Sequence, residues 1–335
     1  MSFTQELKKF ALEDVGIDLI GVAPISRFKD SPPGKHPCDI LPGAKSVVVF
    51  AVKLLDGAIQ ANFRVFEEGK KNVHGIYGTF GYVNTPNLHL MWASYYIARY
   101  IEKKTGKVAS PMPCGPMQNG GPLSMRHAAL AAGLGEFGWM GIILTPEFGP
   151  RNRFGAVITQ AELDPDPMYS GPKLCDPTKC QVCVEKCVTG AIAPYQGPDV
   201  GRHVEMDGHK YHYSFLDWNR CRIACHGLST KTGGPEDLIT TENPTSVEIQ
   251  EAILKEKQSG GGFQKHDSWR CGHCLSYCPV GNWQERFSDT GLSTGHHMYE
   301  KNKFKTSVEK DGVYGFRYNE TKGNSTFGTP LPEQK

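Results

Sequence analysis

Residues 128–159, AALAAGLGEFGWMGIILTPEFGPRNRFGAVIT, hold a helix end, a glycine-rich turn and two apolar strands in one stretch. The apolar run Leu123–Ala132, with Ser124 as a start signal and Gly133 as its stop, predicts a helix. Strands are expected at Gly141–Thr145 and Phe154–Thr159, split by the turn Pro146–Pro150. Gly133, Gly135 and Gly138 satisfy G-x-G-x-x-G. A dinucleotide fingerprint, however, follows a strand and opens a helix, so that pyrophosphate meets the helix N-terminus. Here the order is reversed, which favours a helix C-cap and a tight turn.

Upstream, Leu7, Phe10, Ala11 and Val15 recur at helical spacing over Thr4–Val15, and a short strand follows at Ile17–Val22. Ser46–Val52 (SVVVFAV) has the length of a buried strand, well short of a membrane span. Leu88–Lys104 reads as a helix with Met91, Tyr95, Ala98 and Ile101 on its inner face. Downstream, Asp164–Pro172 (DPDPMYSGP) reads as a linker, and beyond it periodic apolar structure is sparse.

Lys+Arg 37 against Asp+Glu 35 leaves a formal charge of +2, which gives no reason to expect a nucleic-acid partner, tRNA included. The first residues, MSFTQELKKFALEDVG, carry no secretory pattern, so a cytoplasmic protein without membrane contact is expected. Of 11 cysteines only Cys38 and Cys114 lie in the first half, where they read as ordinary buried thiols. The rest crowd between Cys175 and Cys278, which points to metal rather than a disulfide scaffold.

The first run is Cys175-x4-Cys180-x2-Cys183-x3-Cys187; the second is Cys271-x2-Cys274-x3-Cys278-Pro279, preceded by Cys221 and Cys225. Zinc favours paired Cys-x2-Cys units and fits this rhythm poorly. A [4Fe–4S] cube takes one thiolate per iron, and in two-cluster ferredoxins the last cysteine of each run ligates the other cluster. That rule assigns Cys175, Cys180, Cys183 and Cys278 to one cluster. The other takes Cys271, Cys274, Cys187 and either Cys221 or Cys225, with Cys221 preferred.

The 128–159 block, together with Leu41-Pro-Gly-Ala-Lys-Ser46 and the cysteine runs, resembles the cobalamin-dependent reductive dehalogenase and epoxyqueuosine reductase superfamily over roughly residues 10–285. The resemblance implies an α+β fold, with a nitroreductase-like cobalamin-binding domain at 1–165. A ferredoxin-like domain with two [4Fe–4S] clusters would occupy 166–290, followed by a polar tail at 291–335. It further implies an oxidoreductase in which electrons cross the clusters to cobalt, supplied by a low-potential donor such as ferredoxin or flavodoxin. The epoxyqueuosine branch carries an Asp where this chain has Asn119, and its Cys-Ile-Ser-Tyr signature is replaced by Cys221-Arg-Ile-Ala-Cys225. These departures favour the dehalogenase side and a small organic substrate over tRNA.

The resemblance also implies a proton donor near the corrin. Tyr82, in the loop YGTFGY, Asn119 and His127 are the candidates, although an amide cannot give up a proton at neutral pH and a lone helical histidine also serves structure. Gly133, Gly135, Gly138, Arg151 and Arg153 are the candidates to hold cobalamin. Two further functions fit the same residues: a ferredoxin-type electron carrier without corrin, and an epoxyqueuosine reductase acting on tRNA.

Overall fold

The computed structural model describes residues 1–67, 74–82, 84–114, 121–232, 234, 236–241, 243–258 and 271–281. The expected tail at 291–335 and the candidate Asn119 lie outside them. The first part of the chain runs α1 (Phe3–Glu13), β1 (Leu19–Pro24), α2 (Pro37–Ile40), β2 (Ser46–Lys53), α3 (Asp56–Glu67) and α4 (His74–Ile76). A π-helical turn at Tyr77–Tyr82 leads into α5 (Asn84–Thr105), β3 (Ala109–Pro111), α6 (Met125–Ala131), β4 (Glu136–Phe137), β5 (Ile143–Leu144) and β6 (Asn152–Thr159). Beyond the linker come α7 (Val182–Glu185), β7 (Arg202–Met206), β8 (His209–Tyr213), α8 (Trp218–Cys225), α9 (Ser246–Gln258) and α10 (His273–Ser276).

An antiparallel sheet of order β1-β2-β6-β3 carries the fold, with Val48 opposite Val157 and Phe50 opposite Gly155 in the central pair. Because side chains alternate along a strand, Val48, Phe50 and Val52 face one side and Val47 and Val49 the other. The first set packs under α1 and α5 through Leu7, Ala11, Leu90, Ala93, Ile97 and Ile101. The second packs under α6 through Ala128–Ala132. All but the last residue of β2 is buried, as its unbroken apolar run requires.

Several expectations are corrected. On α5 the buried face is Leu90, Ala93, Ser94, Ile97, Ala98 and Ile101, while Met91 and Tyr95 are about half exposed (50% and 45%). Ala98 and Ile101 are buried as read from sequence, while Leu90 and Ser94 stand inside in place of Met91 and Tyr95. Only Ile143–Leu144 of the expected 141–145 strand pairs, with Glu136–Phe137. The linker is docked rather than free: Asp166 accepts from Lys8 Nζ (2.7 Å) and from the Val22 amide (2.7 Å), and the Asp164 amide donates to Thr4 Oγ1 (2.8 Å). The region after it also has more apolar structure than expected. The β7–β8 hairpin adds Met206 and Tyr213 to the α6 core, and α8 and α9 share Ile223, Ile249, Ala252 and Ile253.

The close of α6 follows the sequence reading. Ser124 caps it by accepting from the His127 amide, and Gly133 at φ +73° ends it with paired bonds from Gly133 to Leu130 and from Leu134 to Ala129.

Candidate metal and redox site

Two short helices carry most of the second-half cysteines and pack on each other. Helix α7 holds Cys183, with Cys187 just past its end; α10 holds Cys274, flanked by Cys271 and Cys278. Gly272, in the left-handed region at φ +63°, turns the chain into α10. Helix α8 presents Cys221 and Cys225 one turn apart, with their sulfurs 3.7 Å from each other. All eleven cysteines are described and none forms a disulfide.

The thiols gather into two groups. Cys183 is pushed well up by burial and by Cys274, Cys175, Cys278 and Cys180 around it. Cys278 is pushed to about 12 by burial first, with Cys175 and Cys180 contributing and Arg151 opposing. The second group centres on Cys271, raised by burial and by Cys225, Cys187 and Cys274. Burial also raises Cys274, with Cys187 and Cys225 as its first thiol neighbours. The two groups touch: Cys274 bears on Cys183 and Cys278 on Cys274, while on α8 Cys225 bears on Cys271 and Cys274, and Cys221 feels Cys274 and Cys187.

Trp139, Met140, Leu144 and Ile192 pack against Cys175, Cys183 and Cys278 and also against Cys187 and Cys274, and the Trp139 amide donates to Cys175 Sγ (3.3 Å). The Ala191 amide donates to Cys187 Sγ (3.1 Å), and Cys271 Sγ lies 2.8 Å from His273 Nδ1. Leu54, Ile59, Tyr77, Leu275 and Tyr277 pack beside the second group.

This donor set fits iron–sulfur chemistry. Amide hydrogens aimed at thiol sulfurs suit negatively charged, metal-bound thiolates. The buried Tyr77 hydroxyl has no partner among the described residues, which suits an acceptor that the chain itself does not supply. Among the described residues no three His, Cys, Asp or Glu side chains close on a single ion. A cube spreads its ligands over separate irons, so its thiolates stand further apart than those of a one-metal site.

The residues expected to hold corrin are engaged by the chain itself. A Cβ on Gly133 would fall 2.0 Å from the Pro167 carbonyl oxygen, one on Gly135 1.9 Å from that of Leu144, and one on Gly138 3.0 Å from the Leu144 side chain. Arg151, 1% exposed, donates to the carbonyls of Leu275 (3.2 Å), Cys278 (2.9 Å) and Val280. Arg153 donates to Asn87 Oδ1 (3.1 Å) and lies 4.9 Å from the Tyr82 ring centroid.

Tyr82 stacks on Tyr77 at 5.7 Å, and burial raises its pKa while Arg153 opposes the rise. His127 Nδ1 lies 2.8 Å from Ser124 Oγ at the start of α6. Burial, with Arg126 and Arg202 beside it, lowers His127 from 6.5 to about 4, so the ring is neutral at pH 7. The unfolded chain therefore takes up a proton more readily as the pH falls below 6.5. The stability tied to a neutral His127 is complete above that value and lost as the pH falls through about 4, a total of about 3 kcal/mol. His127→Gln is expected to narrow the gap between thermal midpoints at pH 7 and pH 4.5. An unchanged gap refutes the assignment.

Fold and thiols together define a mixed α/β protein built around two interleaved groups of reduced cysteines. In sequence the chain is similar to the tetrachloroethene reductive dehalogenase of Dehalobacter restrictus, at 36% identity over 133 residues, covering 38% of this chain and 22% of that protein. It is also similar to one from Desulfitobacterium hafniense, at 34% over 187 residues, covering 55% of this chain and 26% of the relative. The chain is thus similar to reductive dehalogenases, which are oxidoreductases. It spans only about a quarter of their length. No protein-family model matches it.

Among solved structures, one similar chain is an epoxyqueuosine reductase with a tRNA stem loop: TM-score 0.48, 18% identity, covering 92% of this chain and 70% of that one. Another is a reductive dehalogenase described for B12-dependent dehalogenation: TM-score 0.40, 17% identity, covering 73% and 33% respectively. No helix among the described residues is long and apolar enough to cross a membrane.

Proposed function

We propose that this chain is a reductase of the reductive dehalogenase kind, acting on a small organic substrate with two [4Fe–4S] clusters and a cobalamin. One observation carries the iron–sulfur part: the nine cysteines of Cys175–Cys278 are all free, and backbone amides donate to the sulfurs of Cys175 and Cys187. In this reading Cys278 joins Cys175, Cys180 and Cys183, and Cys187 joins Cys271 and Cys274. The fourth ligand of the second group comes from α8, where Cys225 bears on Cys271 and Cys274, and Cys221 feels Cys274 and Cys187. When bound, the clusters supply one-electron transfer, and a corrin supplies a reducible, nucleophilic cobalt.

The chain's own part is to hold thiolates, exclude water and manage a proton. Trp139 and its apolar neighbours shield the first group, and Tyr77, Leu275 and Tyr277 flank the second. Tyr82 keeps its proton at neutral pH because burial disfavours the phenolate, while the Arg153 guanidinium over its ring stabilises the phenolate once the proton has left. That balance suits a general acid. In this reading residues 1–165 form the substrate and corrin unit and 166–290 the ferredoxin-like unit, in a cytoplasmic protein fed by ferredoxin or flavodoxin.

The corrin rests on kinship. Gly133, Gly135, Gly138, Arg151 and Arg153 do not fit it, being engaged by the chain itself. The same observation favours a second reading, an electron carrier without corrin. Protein prepared without oxygen and with cobalamin present is expected to hold about eight iron atoms and one cobalt. Iron without cobalt after reconstitution selects the carrier; no iron refutes both readings. Excluding tRNA has no support from the comparisons, since one similar structure was solved with a tRNA stem loop. Salt-dependent tRNA binding would move the substrate assignment to that class.

A further inference from the structure

We propose that the buried hydroxyl of Tyr77 donates a hydrogen bond to a sulfur of the cluster held by Cys187, Cys271, Cys274 and a cysteine of α8, and thereby raises that cluster's reduction potential. The inference rests on the iron–sulfur reading and goes beyond it. Tyr77 is 1% exposed, and its hydroxyl finds no partner among the described residues. Such a group is costly to bury unless something completes it.

Its position is fixed. The ring stacks on Tyr82 at 5.7 Å and is packed among Leu54, Ile59, Leu275 and Tyr277. The oxygen reaches Gly272 so closely that a Cβ there would lie 2.0 Å from it. Gly272 follows Cys271 directly, so the hydroxyl stands at the edge of the second thiol group.

The nearest backbone acceptors already have partners. The Cys271 carbonyl accepts from Asn62 Nδ2 (2.9 Å), and the Gly272 carbonyl accepts from the Ser276 amide (2.9 Å). The thiols that bear on the hydroxyl are those of Cys274, Cys271 and Cys225, and the cube they would carry adds its sulfides. Cluster sulfurs gain electron density on reduction, so a donor to them stabilises the reduced form more than the oxidised one. Gly272 is needed here for space as well as for its positive φ, since any side chain would occupy the hydroxyl's place.

The test is a potentiometric titration of the reconstituted two-cluster protein, followed by electron paramagnetic resonance, for wild type and Tyr77→Phe. The expected result is a fall in one potential and no change in the other. At fixed potential the reduced-to-oxidised ratio of that cluster should drop about tenfold, equal to about 59 mV for a one-electron couple. Site-specific 3-fluorotyrosine at position 77, a stronger donor on the same frame, should raise the same potential. Two unchanged potentials, or an equal shift of both, overturn the proposal. A wild-type protein that takes up no iron overturns the iron–sulfur reading beneath it, and iron analysis separates the two failures.

Discussion

Cys183→Ser should leave the reconstituted protein with about four iron atoms where the wild type holds about eight. Cys183 sits in α7, and its thiol is raised by burial and by Cys274, Cys175, Cys278 and Cys180. A serine hydroxyl is a hard, weakly acidic ligand that does not replace a soft thiolate on iron. The loss should be confined to one cluster, because the second group draws on α8, α10 and Cys187. Cys114→Ser is the matched control. Its thiol is also raised by burial, but it lies near Ser94 Oγ (3.8 Å) and the Met112 carbonyl (3.5 Å), away from both groups. Full iron in Cys183→Ser would remove this residue from the ligand set.

The crowding of free cysteines between Cys175 and Cys278 was legible in the sequence because their spacing is a local property. The unbroken apolar run of β2 and the Ser124 and Gly133 stops of α6 were legible for the same reason. Other features left local signals that were not used. Asp207-Gly208 between Arg202–Met206 and His209–Tyr213 is a tight-hairpin turn, with φ +51° and +79°. Thr245 with Glu248 marks the start of α9, whose Ile249, Ala252 and Ile253 keep helical spacing. The inner face of α5 was readable only in part: Ala98 and Ile101 are buried as read, but only the sheet beneath shows that Leu90 and Ile97, rather than Met91 and Tyr95, complete that face. The partners of Tyr77 and Arg151 lie about 120 residues or more away in sequence, beyond any local pattern.

That distance is what makes the corner Thr145–Arg151 informative, and Arg151→Met should show its role. The corner closes on itself, with Thr145 and Gly149 exchanging amide bonds (3.0 and 2.8 Å) and Asn152 Nδ2 donating to the Gly149 carbonyl (2.7 Å). So braced, it aims Arg151 at the carbonyls of Leu275, Cys278 and Val280, the segment that carries the last cysteine of the second run. Burial lowers the guanidinium to about 10, so it remains charged at neutral pH. Methionine would fill much of the volume but leave buried carbonyls without their donor, at a cost of about 3 kcal/mol or more. Arg151→Lys keeps the charge but loses the planar fork, and should fall between the two. The thermal midpoint of the reconstituted protein should drop by several degrees in Arg151→Met. Its iron loss should begin with the first group, because Cys278 crosses to that group and is the ligand whose backbone Arg151 holds. A midpoint within a degree of wild type, with full iron, would mean that the second run holds Cys278 in place without Arg151. The conspicuous Thr-Pro-Glu-Phe-Gly-Pro-Arg block would then have to be explained by something other than cluster support.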